Sequence, residues 1–142
     1  MRSFGVTNSS IRANLLEDVR YAVLGLKVVH SLSQTVKASL TNISLLGTTG
    51  NDAFAWELVF NPTIAGAPVF TAVGHTGESE WLDGQNITTG GTTVYTGVGY
   101  SRTPVVISRN IIVTKSDVFA VVIRPYSRMH VVAGMSWDEI IG

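Results

Sequence analysis

Along much of this chain apolar side chains recur at every second position, the period of a pleated strand with one buried face. Phe54, Trp56, Leu58 and Phe60 share one side, and Ala55, Glu57 and Val59 the other. Met129, Val131, Ala133, Met135 and Trp137 oppose His130, Val132, Gly134 and Ser136. Leu24, Leu26, Val28 and His30 oppose Val23, Gly25, Lys27 and Val29. From Val118 to Ile123 both sides are apolar, which predicts a strand that is central or covered twice. The 19 Val and 10 Ile reinforce the reading, because β-branched side chains suit a pleated surface better than a helix. Strands are predicted near residues 20–31, 34–45, 53–60, 68–73, 93–99, 104–113, 118–124 and 129–137.

Turn-forming clusters punctuate these runs. One, from Gly47 to Asp52, precedes the aromatic strand, and another, from Asn61 to Gly66, follows it. Thr89-Gly90-Gly91-Thr92 reads as a hairpin loop and Lys115-Ser116-Asp117 as a short turn. Eight strands at a spacing of about ten residues predict an all-β fold, a β-sandwich of jelly-roll-like kind. One segment departs from the pattern. Ser10 to Val19 carries apolar residues at 11, 15, 16 and 19, which suits a short helix behind a Ser cap. The alternative is an N-terminal strand, or an arm lying on a neighbour. The expected organisation is therefore an arm or short helix over 1–19 and a single β-sandwich domain over 20–142. The first forty residues are expected to serve in docking.

Charge changes the picture more than hydropathy does. Ten Lys+Arg balance ten Asp+Glu, so nothing favours a nucleic-acid partner. Only 14% of the 142 residues are charged, against about 25% in an average soluble domain. A surface this poor in ions favours association with other protein surfaces. The first ten residues, MRSFGVTNSS, contain no apolar run of the signal-peptide kind. No stretch approaches the roughly 18 apolar residues of a membrane span, so no membrane partner is expected. The chain has no Cys, which excludes disulfides, thiolate metal sites and thiol nucleophiles. Asn8, Asn42 and Asn86 begin N-x-[ST] triplets, read here as chance occurrences.

Candidate chemistry is sparse. His30, His75 and His130 lack the local spacing of metal ligands. The polar stretch from Gly74 to Gly84 is read as a loop in which Trp81 offers an aromatic contact to a partner or sugar. Its Glu78, Glu80 and Asp83 are oxygen ligands suited to Ca²⁺, or simply solvated carboxylates. No GxSxG or Walker motif occurs, and Gly97-Val98-Gly99-Tyr100-Ser101-Arg102 lacks the third Gly of a dinucleotide loop. Arg102, Arg109, Arg124 and Arg128 are scattered over the C-terminal third and are read as interface or solvated residues. No catalytic residue, cofactor or metal is expected.

Several stretches carry a resemblance. Leu40-Thr41-Asn42-Ile43-Ser44 leads into the run from Ala53 to Ile64, followed by Val105 to Arg109 paired with Ile111-Ile112-Val113. The run from Asp117 to Ile123 and the ending Val131-Val132-Ala133-Gly134-Met135-Ser136-Trp137-Asp138-Glu139 complete the series. Over about two-thirds of the chain this texture resembles the β-rich domains of tailed-bacteriophage virion proteins. The resemblance implies a non-enzymatic structural protein of the virion, jelly-roll-like and homo-oligomeric, expected as a trimer. It implies capsid decoration or a place in the tail, with other copies and major capsid or tail proteins as partners. The strand faces offered for the oligomer interface are Phe54, Trp56, Leu58 and Phe60, or Met129, Val131, Met135 and Trp137. The alternative is a module that binds a host glycan through Trp81, Tyr95, Tyr100 or Tyr126. A glycan-cleaving enzyme is the weakest reading, because no acid pair stands out.

Overall fold

The alternating stretches are strands. The computed structural model describes residues 2–28, 36–48, 52–72, 79–115 and 117–141. They form β1 (Arg2–Leu15), β2 (Tyr21–Val28), β3 (Val36–Gly47), β4 (Ala53–Phe60), β5 (Thr63–Ile64) and β6 (Phe70–Ala72). The second half forms β7 (Ser79–Thr89), β8 (Thr92–Tyr100), β9 (Val105–Ile107), β10 (Ile111–Val113), β11 (Val118–Pro125) and β12 (Met129–Ile141). All pairings between these strands are antiparallel.

The strands make two sheets. The first runs β1-β12-β3-β10, with β9 also on β3, and the second runs β5-β7-β2-β11-β4-β8, with β6 also on β7. Four nested pairs explain this order: β1 with β12, β2 with β11, β3 with β9 and β10, and β4 with β8. Such a chain is one long hairpin rolled up so that successive pairs alternate between sheets, which is the jelly roll. The eight jelly-roll positions are β1, β2, β3, β4, β8, β9 with β10, β11 and β12. Strands β5, β6 and β7 are an excursion between β4 and β8.

The inward faces are those the alternation assigned. Leu24, Leu26, Leu40, Ile43, Leu45, Phe54, Leu58, Phe119, Val121, Ile123, Met129, Val131, Ala133, Met135 and Trp137 are all buried in one cluster between the sheets. Phe60 meets Phe119 edge-on, with ring centroids 5.5 Å apart. Strand β11 is covered twice, as its sequence required. Its Ala120 and Val122 join Ala22, Val59 and Leu82 in a second cluster on the outer face of the second sheet, with Ile64 and Phe70 laid over it. The excursion through β5 and β6 pairs along β7 and so brings the Ile64 and Phe70 side chains against that outer cluster.

Two sequence expectations are corrected. Ser10 to Val19 is not helical: Arg2–Leu15 is β1, hydrogen-bonded along β12 from Arg2 opposite Glu139 to Leu15 opposite Met129. The stretch set apart as an arm thus supplies a strand of the sandwich, because the roll needs a partner for the free side of β12. Gly90 and Gly91 do form a turn, with φ of 67° and 84°. It is not a hairpin, however, since β7 pairs with β2 while β8 pairs with β4. Only glycine fits at Gly91, where a Cβ would lie 2.6 Å from Val59 Cγ1.

Candidate functional site

The residues named from sequence fall mostly inside. Phe54, Leu58, Met129, Val131, Met135 and Trp137 are buried between the chain's own sheets, and Trp56 and Phe60 pack against that core. Neither aromatic nor methionine face is offered to a second copy, which corrects the interface expectation. The physical reason is that a sandwich has two inner faces, and each covers the other.

The polar loop is also corrected. Trp81 and Glu80 belong to β7, where Trp81 is half-buried against the main core and Glu80 meets Lys27 Nζ at 3.4 Å. Lys27 Nζ also sits 4.5 Å above the Phe70 ring. Asp83 occupies the β7 position opposite Leu24. Glu78, His75 and His30 lie outside the described residues. His130 is half-buried in β12. Among the described residues no group of three or more His, Asp or Glu is gathered as metal ligands.

A buried polar relay ties the start of β7 to β12. Trp137 Nε1 donates to Ser79 Oγ at 3.2 Å, and Ser79 Oγ donates to Glu139 Oε2 at 2.5 Å. All three residues are buried. A hydroxyl held by a carboxylate inside a core satisfies both groups and fixes the two sheets at this end. It is closed to substrate, so it serves the fold.

Exposed features converge instead on β8. Its sequence, TTVYTGVGY, contains no charge and no proline. The inward positions Gly97 and Gly99 lie opposite Trp56 and Phe54, and a Cβ at either would collide with the facing ring. The two rings of β4 fill the space that β8 leaves, so β8 contributes little to the core and shows its other side to solvent. Tyr100 is 62% exposed and Val98 51%.

Register places these residues in rows across the outer face. Tyr100 pairs with Ala53, whose carbonyl accepts from the N–H of Tyr126. In the next row Val98 pairs with Ala55, which pairs with Arg124. Tyr100 and Val98 thus form one wall, Tyr126 and Arg124 the other, and Ala53 and Ala55 the floor. Two strand spacings put the walls roughly 9–10 Å apart. Arg124 lies over the Tyr126 ring at 5.3 Å and reaches Asp18 Oδ1 at 3.4 Å. The trough ends at Glu57, held by Arg20 at 2.9 Å and by Thr93 Oγ1 at 3.2 Å. Tyr95 lies near the opposite end of β8, with Arg109 stacked on its ring at 4.9 Å.

This arrangement offers stacking surface and hydrogen-bonding groups but no nucleophile beside a base. Sequence reasoning named Tyr95, Tyr100 and Tyr126 singly and missed that Ala53 joins Tyr100 to Tyr126 while Tyr95 stands apart beside Arg109. The signal was present: glycines at period two in β8 answer aromatics at period two in β4. No family model matches this chain, and no curated protein or solved structure matches it.

Proposed function

We propose that this chain is a non-enzymatic structural protein of a tailed-phage virion, a homo-oligomeric jelly-roll domain that decorates the capsid or forms part of the tail. The observation that carries the reading is the ion-poor exterior. Val98, Tyr100, Val106, Ile112 and Ile140 are exposed on outer faces and sheet edges of a domain whose core is already complete. Apolar area left in water after the core has closed favours contact with further protein. The jelly-roll strand order is compatible with the texture of the sequence, and the polar relay at Ser79 consumes its own hydrogen-bonding groups. Antibody labelling of purified particles tests the virion assignment. Label at regular positions on head or tail is expected, and label confined to unassembled protein excludes it.

A second reading is favoured by the trough between Tyr100 and Tyr126. Two tyrosines flanking an alanine floor suit a sugar ring, whose C–H faces stack on aromatics while Arg124 and Glu57 meet hydroxyls. On this reading the domain binds a host-surface glycan. Binding on a glycan array that is lost in both Tyr100→Ala and Tyr126→Ala supports it, and an array without signal removes it.

A further inference from the structure

We propose that the free edge of β8 is a self-association edge, along which a second copy of this chain adds its own β8 antiparallel about a two-fold axis through Val98. The inference rests on the self-assembly proposed above and names its contact.

An edge strand presents a row of backbone N–H and C=O groups that can template pairing. Natural sheets usually blunt such edges with charge, proline, bulges or a covering segment. The opposite edge of this same sheet is covered: β5 and β6 both pair onto β7. No described strand pairs with the outer side of β8. Over its nine residues β8 has neither charge nor proline. The bulge, between the pairs Leu58–Tyr95 and Val59–Thr93, sits toward its beginning. From Tyr95 to Gly99 the ladder is regular and no described strand lies along its outer side, while the Tyr100 carbonyl already accepts from the Thr103 N–H at 3.3 Å.

The occupant is argued from register. A two-fold axis through Val98 sets Val98 opposite Val98, and Tyr100 opposite Thr96 on each side. On the inner face it sets Gly97 opposite Gly99. Aromatic–β-branched and β-branched pairs are favourable cross-strand neighbours. The inner row adds no side chain that would displace the Trp56 and Phe54 rings. The pairing covers Tyr100 and Val98, two of the large apolar residues left in water. It brings no like charges together within the paired stretch. The ion pairs beside it, Arg124 with Asp18 and Arg20 with Glu57, are satisfied inside each chain. A strand from an unrelated protein would need to match this uncharged pattern, whereas a second copy matches it by symmetry.

The test uses light-scattering mass over a concentration series, with two variants of the full chain. Wild type is expected to form a dimer. Val98→Lys places two like charges opposite each other on the axis and is expected to raise the dissociation constant about tenfold or more, with an unchanged far-ultraviolet circular dichroism spectrum and a melting temperature that matches wild type only at dilutions where both are monomers. Val98→Cys introduces the sole thiol of a Cys-free chain. A short bis-maleimide should link it to its symmetry mate, while Val106→Cys on the other sheet stays unlinked. A wild-type monomer at all concentrations overturns both this inference and the self-assembly reading. A trimer, or any oligomer whose mass Val98→Lys leaves intact, overturns the β8 contact alone. A dimer dissolved by Val98→Lys in which Val98→Cys fails to cross-link overturns the axis through Val98.

Discussion

The outer face of the second sheet has two halves that the chain treats differently. Over β2, β11 and the start of β7, Ala22, Val122, Ala120 and Leu82 are roofed by Ile64 and Phe70. Over the Ala53 end of β4 and β8, no described segment lies on Val98 and Tyr100, which stay in water. Both halves present apolar side chains, so hydropathy alone does not separate them. What differs is the connection. The excursion between β4 and β8 pairs with β7 beside the first half, bringing Ile64 and Phe70 against it, and turns at Gly90 and Gly91 into β8. The lesson is that one half of the face is completed within the chain, and the other is left for something outside it.

Removing a floor residue from the roofed half should have the largest effect. Leu82→Ala opens a cavity beneath the roof beside Gly25, and a loss of about 2–5 kcal/mol is expected in denaturant unfolding. A change under about 1 kcal/mol would mean that the roof collapses onto the gap and is not a packed core. Taking away the roof itself should do less. Phe70 is half-buried, so Phe70→Ser should lose about 1–2 kcal/mol. It should also bare Leu82 and Val122, making the roofed half resemble the open one. Increased aggregation in light scattering is the expected sign, and an unaltered, fully dispersed variant would contradict the comparison. The open half should matter least to the fold. Tyr100→Ser is expected to move the unfolding free energy by no more than about 0.5 kcal/mol. If it instead destabilises the isolated chain as much as Leu82→Ala, Tyr100 belongs to the core economy after all and the two halves are alike.

Legibility in the sequence followed the strength of alternation. The inward faces of β4 and β12 were readable residue by residue, because one buried side imposes a period of two. The double coverage of β11 was readable too, since Ala120 and Val122 have no reason to be apolar otherwise. Strand β7 was not. Ser79 to Thr89 mixes Glu80, Asp83, Gln85 and Asn86 into a stretch that looks like a loop, yet pairing along β2 makes it a strand. Its backbone is satisfied by the neighbour whatever its side chains are. The aromatic face of β4 was read correctly as a face and assigned to the wrong partner. Alternation reports that a side is buried and is silent on whether the cover is the same chain or another.

The sequence by itself determined which residues turn inward and that they do so on strands, because that information is local and repeats every two residues. It also determined an exterior short of ions. Only the tertiary structure decided which strand lies beside which, where the excursion lands, and that β8 ends a sheet with no described strand along its outer edge. Those outcomes depend on contacts between residues far apart in the chain, such as Trp56 with Gly97 or Ser79 with Glu139, and no local period encodes them.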